Sequence, residues 1–191
     1  FRDQHGEVLG GEIAVVSCGK LGCREMTVGS DLDLLFVYDC PSNVGESDGK
    51  RRLPVAQYYS RLSQRLIGAI TAPTKDGKLY EVDMRLRPAG NAGPIACSFD
   101  AFARYQRSDA WTWEHQALTK ARVVCGNAKI SIKINKLVSE VLSVPRNHLA
   151  LSKEVVDMAT RLRAKHHEDS VWHVKHIPGG LFDIEFIAQY I

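Results

Sequence analysis

The sequence has no long hydrophobic run; nothing in its 191 residues approaches the ~20 apolar residues that a membrane helix needs. No basic segment followed by an apolar stretch and small residues opens it, so neither a membrane protein nor an obvious secretory leader is expected. Charge of one sign is also scarce. With 25 Lys and Arg against 22 Asp and Glu, the net charge is +3, too mild to mark a nucleic-acid binder, and there is no stripe of basic and aromatic residues to read single strands. The 15 glycines and 7 prolines are scattered, which excludes a collagenous fibre, and no internal repeat or low-complexity tract is present. Cysteine is limited to positions 18, 23, 40, 97 and 125. That odd number without a C-x-x-C pair points to reduced thiols in a cytoplasmic protein, not to a disulfide framework or a zinc knuckle. His166-His167 and His173-x-x-His176 lack cysteine partners at finger spacing and read as a solvated helix end. The chain begins at Phe1 without methionine and stops at Ile191 within an apolar helical pattern, and it reads as a fragment.

What remains is an ordinary globular composition, 45% hydrophobic and 25% charged. Glu12 to Cys18 is short and β-branched, a strand that breaks at Gly19 and Gly22; residues 31–38 form a second strand that opens on acids and turns apolar. Residues 40–52 are a polar loop. Val55, Tyr58, Tyr59, Leu62, Leu66 and Ile70 follow helical spacing. Beyond a turn at Asp76-Gly77, residues 78–87 alternate strictly and predict a half-buried strand. Ser98 predicts an N-cap for a helix to about 106, followed by a helix over 110–124 ended near Gly126. Helices at about 130–143 and 149–167, separated by Pro145, and a last one from Asp183 after Pro178-Gly179-Gly180 complete the chain. The expected fold is α+β: residues 1–126 a catalytic domain, residues 127–191 the start of a helical bundle.

The chemistry lies in the acids. Asp31 and Asp33 stand two apart at a strand start, so alternation puts both carboxylates on one face, ~6.5–7 Å apart along the backbone. Two like charges held together are costly unless cations neutralise them. Asp83 falls on the polar face of the alternating segment, with Arg85 and Arg87 beside it. Three carboxylates on neighbouring strands fit a site for Mg2+ or Mn2+, hard ions that prefer oxygen ligands and assist in-line phosphoryl displacement. Gly19-Lys20-Leu21-Gly22 follows a strand and lets backbone amides approach phosphate, with Ser30 nearby as a further donor. It is not a Walker A loop, since Ala14 and Leu21 occupy positions that require Gly and Ser or Thr. An isolated Asp-x-Asp is more often a strand-edge feature; the glycine loop upstream and the third acid with two arginines downstream favour catalysis.

Gly29-Ser30-Asp31-Leu32-Asp33 with the later Asp83 resembles the signature of polymerase-β-like nucleotidyltransferases. Tyr80-Glu81-Val82-Asp83-Met84-Arg85-Leu86-Arg87-Pro88, Trp111-Thr112-Trp113-Glu114-His115, Ala121-Arg122-Val123-Val124 and Pro178-Gly179-Gly180 through Phe186 resemble the glutamine synthetase adenylyltransferases in particular. The resemblance spans nearly the whole chain. It implies a polymerase-β-like core, a small mixed sheet with flanking helices, and a member of a bifunctional family. One half of such enzymes attaches AMP from ATP to a tyrosine of glutamine synthetase, and the other removes it. The wording here is similar to the attaching, C-terminal half. By the same resemblance, Asp31, Asp33 and Asp83 hold metal and catalyse, and Gly19, Lys20, Ser30, Arg85 and Arg87 bind nucleotide. Glu114, Lys175, Asp183 and Glu185 are accessory candidates, and a PII-type signal protein regulates the full-length enzyme. Cys23 stands where the family commonly has Gly or Ser. The alternatives are the removing half, a non-catalytic nucleotide-binding regulatory module and, more remotely, an RNA-directed nucleotidyltransferase. The two tryptophans read as core, and a helical glutamate such as Glu114 reads as solvated.

Overall fold

The computed structural model describes residues 1–165, 174–175 and 177–191, so the paired histidines at 166, 167, 173 and 176 lie outside the described residues. A short helix α1 (Arg2–His5) precedes strand β1 (Glu12–Ser17), a one-turn helix α2 (Gly19–Cys23) and strand β2 (Leu32–Asp39). Helix α3 (Val55–Ile70) is followed by β3 (Val82–Asp83), a 3-10 turn over Gly90–Ala92 and β4 (Ala96–Ser98). Then come α4 (Phe99–Ser108), α5 (Thr112–Leu118), β5 (Arg122–Cys125), α6 (Ala128–Leu142), α7 (His148–Lys165) and α8 (Leu181–Tyr190).

The sheet is small and mixed, as the α+β expectation requires. Strand β1 runs antiparallel to β2, from Glu12 opposite Asp39 to Ser17 opposite Leu34, and antiparallel to β5 on its other side. The far edge of β2 is shared: β3 pairs with it in parallel at Leu32 and Asp33, and β4 in parallel at Phe36 to Tyr38. β2 is therefore central, and both of its faces are buried. Val15, Leu34, Phe36 and Tyr38 pack with Tyr58 and Tyr59 of α3. Ala14, Val16, Leu35 and Val37 pack on the other face with Phe102, Leu118 and the α6 residues Ile130, Ile134, Leu137 and Val141. No helix among the described residues is long and apolar enough to cross a membrane.

Several expected elements appear as read. The Ser98 hydroxyl caps α4 by accepting from the Ala101 N–H at 3.2 Å. On α3 the packed stripe runs through Ile67, leaving Leu66 exposed. The segment 78–87 is not a ten-residue strand: only Val82 and Asp83 pair. β2 begins at Leu32, and the next stretch of its edge is taken by β4, so no ladder is available to a longer β3. The chain also turns at Asp83, whose Oδ1 accepts the Arg85 N–H at 2.8 Å. The alternation still sorts the faces, since Tyr80, Val82 and Met84 pack beneath the sheet.

The helix expected over 110–124 ends at Leu118, and Arg122–Cys125 is a strand instead. A tight turn returns the Lys120 N–H to the Ala117 carbonyl and the Ala121 N–H to Leu118. Beyond it, Val123 and Val124 suit the open edge of β1 better than a helix. Trp111 is not core either: it is the N-cap of α5, extended and 70% exposed, so helical spacing to His115 does not apply to it.

Candidate active site

The acids meet at one end of the sheet. Cys18, just past β1, donates its N–H to the Asp33 carbonyl at 3.0 Å, and Asp33 stands in register with Asp83 across β2 and β3. Asp31 is exposed immediately before β2, while Leu32 anchors the strand by donating to the Glu81 carbonyl at 2.9 Å. Asp31, Asp83, Arg85 and Arg87 line an open cleft of about 570 Å³ together with Glu81, Met84 and Asn91. A cavity of about 310 Å³ between α5, the α6–α7 connection and α8 is lined by His115, Gln116 and Arg146, with no Asp or Glu side chain among the described residues that line it.

Gly19 explains why a glycine opens α2. Its φ is +54°, and a Cβ on it would overlap the Asp33 carboxylate, which rests against the bare α-carbon. Behind it, the loop 24–30 is organised by Ser30, which is buried and accepts the Thr27 N–H at 3.0 Å. Lys20 Nζ donates to Thr27 Oγ1 at 3.2 Å and to Ser30 Oγ at 3.4 Å. A lysine, two hydroxyls and the start of α2 are thus gathered beside Asp33. Burial pushes the Cys18 thiol up to about 12, with the Asp33 charge adding to the effect, so this cysteine is an inert core group.

The carboxylates are electrostatically unlike. Burial raises the proton affinity of Asp33, the charges of Asp83 and Asp31 raise it further, and Arg85 and Lys120 offset part of this. Burial also works against ionised Asp83, but hydrogen bonds from the Arg85 side chain and backbone, with the charges of Arg85 and Arg87, outweigh it and hold Asp83 below the ordinary range. Arg85 Nε donates to Asp83 Oδ2 at 2.7 Å, and its Nη2 pairs with the same oxygen. Arg87 is built into the following loop: Nη1 donates to the Met84 carbonyl at 2.9 Å, and Nε and Nη2 donate to Gly93 and Asn91, each at 3.2 Å. With Arg85 on Asp83, no group of three or more Asp, Glu, His or Cys side chains is gathered as a ready metal shell among the described residues. The donor set nevertheless fits a hard divalent ion. The candidate donors are all carboxylate oxygens, and an ion there would relieve the repulsion by Asp83 and Asp31 that adds to the effect of burial on Asp33.

Residues 1–137 match the family model described as glutamate-ammonia ligase adenylyltransferase. The chain belongs to this family. It is 46% identical over 191 residues to a bifunctional glutamine synthetase adenylyltransferase/adenylyl-removing enzyme of Bradyrhizobium sp. strain BTAi1, covering all of this chain and 19% of that relative. Proteins of the same description from Rhizobium meliloti strain 1021 and Brucella suis biovar 1 are each 48% identical, over 190 and 187 residues. They are matched over 100% and 98% of this chain, again at 19% of their own length, so the chain spans about a fifth of these curated relatives.

In this adenylyltransferase-family chain, the fold brings Gly19, Lys20, Ser30, Asp31, Asp33, Asp83, Arg85 and Arg87 to one end of the sheet. Glu114 is elsewhere and is not solvated. It is 4% exposed, and its carboxylate accepts from the Trp111 N–H at 2.8 Å and from the Tyr105 hydroxyl at 3.0 Å. Lys175 is an exposed turn residue whose carbonyl accepts the Phe182 N–H at 3.0 Å. The last helix begins before Asp183, at Leu181 with Gly180 as its N-cap; Asp183 accepts from the Gly179 N–H at 2.7 Å and from Arg163 Nη2 at 2.5 Å, tying α8 to α7. Glu185 pairs with Lys120, which faces the acids electrostatically. Sequence reading overlooked Lys120 and Thr27. Thr27 was legible in hindsight, because Thr-x-x-Ser is a hydroxyl-turn pattern; Lys120 carried no local signal.

Proposed function

We propose that this chain forms a nucleotidyltransferase core that transfers AMP from ATP to a tyrosine of glutamine synthetase, releasing pyrophosphate. The observation that carries this reading is the register of Asp33 with Asp83, with Asp31 and Arg85 at the same cleft. In this reading residues 1–126 hold the catalytic groups, residues 127–191 the supporting helical segment, and a PII-type protein regulates the full-length enzyme in the cytoplasm.

Asp31, Asp33 and Asp83 would hold Mg2+ or Mn2+, which when bound supplies positive charge to offset that of the phosphates. Lys20, Ser30 and the amides at Gly19 bind phosphate oxygens from one side of Asp33. Arg85 exchanges its partner: its guanidinium leaves Asp83 for the phosphates, where bidentate hydrogen bonding is equally available. Arg87 fixes the loop from which Arg85 acts and adds charge beside it. Once the guanidinium has moved, its hydrogen bond and charge no longer hold Asp83 low, while the Arg85 backbone N–H still donates to Oδ1, and the affinity of Asp83 for a proton rises. Asp83 then orients the tyrosine hydroxyl, whose ordinary pKa is near 10, and accepts its proton as the oxygen attacks the α-phosphorus in line. The P–O bond to the β-phosphate breaks and pyrophosphate leaves.

The test is incubation of the full-length enzyme with α-labelled ATP and glutamine synthetase. Label should pass to glutamine synthetase and disappear with Asp31→Asn, and no transfer by the intact enzyme overturns the reading. The relatives' names carry a second activity, adenylyl removal, and that reading is distinguished by release of ADP from modified glutamine synthetase when phosphate is supplied.

A further inference from the structure

The proposed reaction uses the three acids, the α2 loop and the two arginines, but leaves the Lys120–Glu185 pair without a task. Lys120 lies in the turn between α5 and β5. Arg122, two residues on, is in register with Ser17, and Ser17 is in register with Leu34, the neighbour of Asp33. Lys120 is therefore at the same end of the sheet as the carboxylates. Its turn is fixed against α2 in two ways. Arg122 donates from Nε to the Gly22 carbonyl at 2.9 Å and from Nη2 to the Leu21 carbonyl at 2.5 Å. The Lys120 carbonyl also lies so close to the Gly22 α-carbon that a Cβ there would overlap it.

The Lys120 side chain is only 21% exposed, and its charge lowers the proton affinity of Asp33. A sheltered ammonium needs an anion, and here Glu185 of α8 provides it, while also accepting from Gln189 Nε2 at 3.0 Å. Glu185 itself is 40% exposed, so it can give up this partner to water at little cost.

We propose that Lys120 is a further binding residue of the nucleotide site, taking the terminal phosphates of the bound triphosphate. Glu185 is the positioning residue that holds the ammonium until phosphate replaces its carboxylate. The proposal rests on the nucleotidyltransferase reading. A lysine ammonium suits such an exchange, because it is a compact charge with three rotatable donors and demands no fixed geometry from its partner. Carboxylate and phosphate satisfy it alike, so it is paired both before and after binding, and Glu185 competes with the ligand.

Calorimetric titration of the full chain with ATP and Mg2+, with tripolyphosphate and with adenosine tests this. Lys120→Gln should weaken ATP and tripolyphosphate by about 10-fold to 100-fold, as expected for loss of a charged hydrogen bond, and leave adenosine unchanged. Lys120→Arg should restore most of the affinity, and Glu185→Gln should tighten both phosphate ligands a few-fold by removing the competitor. A purely structural role would weaken all three ligands, and Glu185→Gln would then weaken them too. Wild-type ATP affinity in Lys120→Gln, or weaker phosphate binding in Glu185→Gln, overturns the inference and leaves the nucleotidyltransferase reading standing. Failure of the unsubstituted chain to bind ATP with Mg2+ overturns both.

Discussion

Asp33 and Asp83 stand opposite each other, yet ionisation is disfavoured at one and favoured at the other, and this gives them opposite effects on stability. Asp33 has its proton affinity raised by burial and by two neighbouring carboxylates. Between the ordinary carboxylate range and that raised value, the folded chain binds more protons than the unfolded one. Stability therefore falls as pH rises through that window. Asp83 is held low, chiefly by Arg85 acting against burial. Its contribution is favourable at neutral pH and is lost as pH falls through its depressed value. Asp33→Asn should accordingly raise the melting temperature at pH 7 by roughly 2–4 °C, the shift expected of up to about 1 kcal/mol after allowing for solvent screening. Asp83→Asn should lower it, and on the proposed function both should abolish adenylyl transfer by the full-length enzyme. Thermal melts of the two variants from pH 4 to 8 check the signs, and a lowered melting temperature for Asp33→Asn at pH 7 would sink this account. The acids themselves were legible, because spacing of two at a strand start is a local property. Their unequal surroundings were not, because Asp33 owes its environment to Gly19, Asp83 and Lys120, which the fold supplies from three other segments.

At the scale of elements, the sequence was readable wherever a local interaction closes an element and unreadable wherever a distant partner does. Ser98 caps α4 through its own hydroxyl, and α3 follows a stripe visible in one segment. β3 and β5 are not legible in their own segments because their lengths are set by how much of β2 and β1 remains unpaired. The start of α5 is an intermediate case. Glu114 satisfies the Trp111 N–H within its own turn, the half of a capping box in which the N3 carboxylate reaches back to the N-cap, but its burial under the Tyr105 hydroxyl depends on α4. Burial raises the pKa of Tyr105, and its hydrogen bond to Glu114 raises it further, so the phenol stays a donor to the carboxylate. Glu114 is therefore expected to act on stability and not on nucleotide. Glu114→Ala leaves the Tyr105 hydroxyl and the Trp111 N–H without their acceptor and should cost about 1–3 kcal/mol. Chemical denaturation should show the loss while the dissociation constant for ATP stays within two-fold or so; a selective fall in ATP affinity at unchanged stability would return Glu114 to the active site.

Composition places a boundary near Gly126, where strands give way to helices, but burial joins the two sides at the scale of the molecule. Ile130, Ile134, Leu137 and Val141, spaced along one face of α6, are each no more than 3% exposed and share a core with Ala14, Val16, Leu35, Val37 and Phe102 of the sheet and α4. The Asn127 side chain starts α6 by accepting the Ile130 N–H at 3.1 Å, and Lys133 of the same helix pairs with Asp39 at the end of β2. α6 is thus the cover of one sheet face, as α3 is of the other. Burial of four such aliphatic side chains is worth on the order of 6–12 kcal/mol, comparable with the ~5–15 kcal/mol that separates folded from unfolded domains. A chain cut after residue 126 should consequently fail to fold cooperatively, binding a hydrophobic dye and lacking near-ultraviolet dichroism. One cut after residue 144 keeps both covered faces and should melt cooperatively. The comparison also bears on the catalytic groups, since Asp33 is carried by the strand that α6 covers. Restoring residues 127–144 should restore ATP binding together with the melting transition, and a 1–126 fragment that folds and binds ATP unaided would show that the composition boundary is a structural one after all.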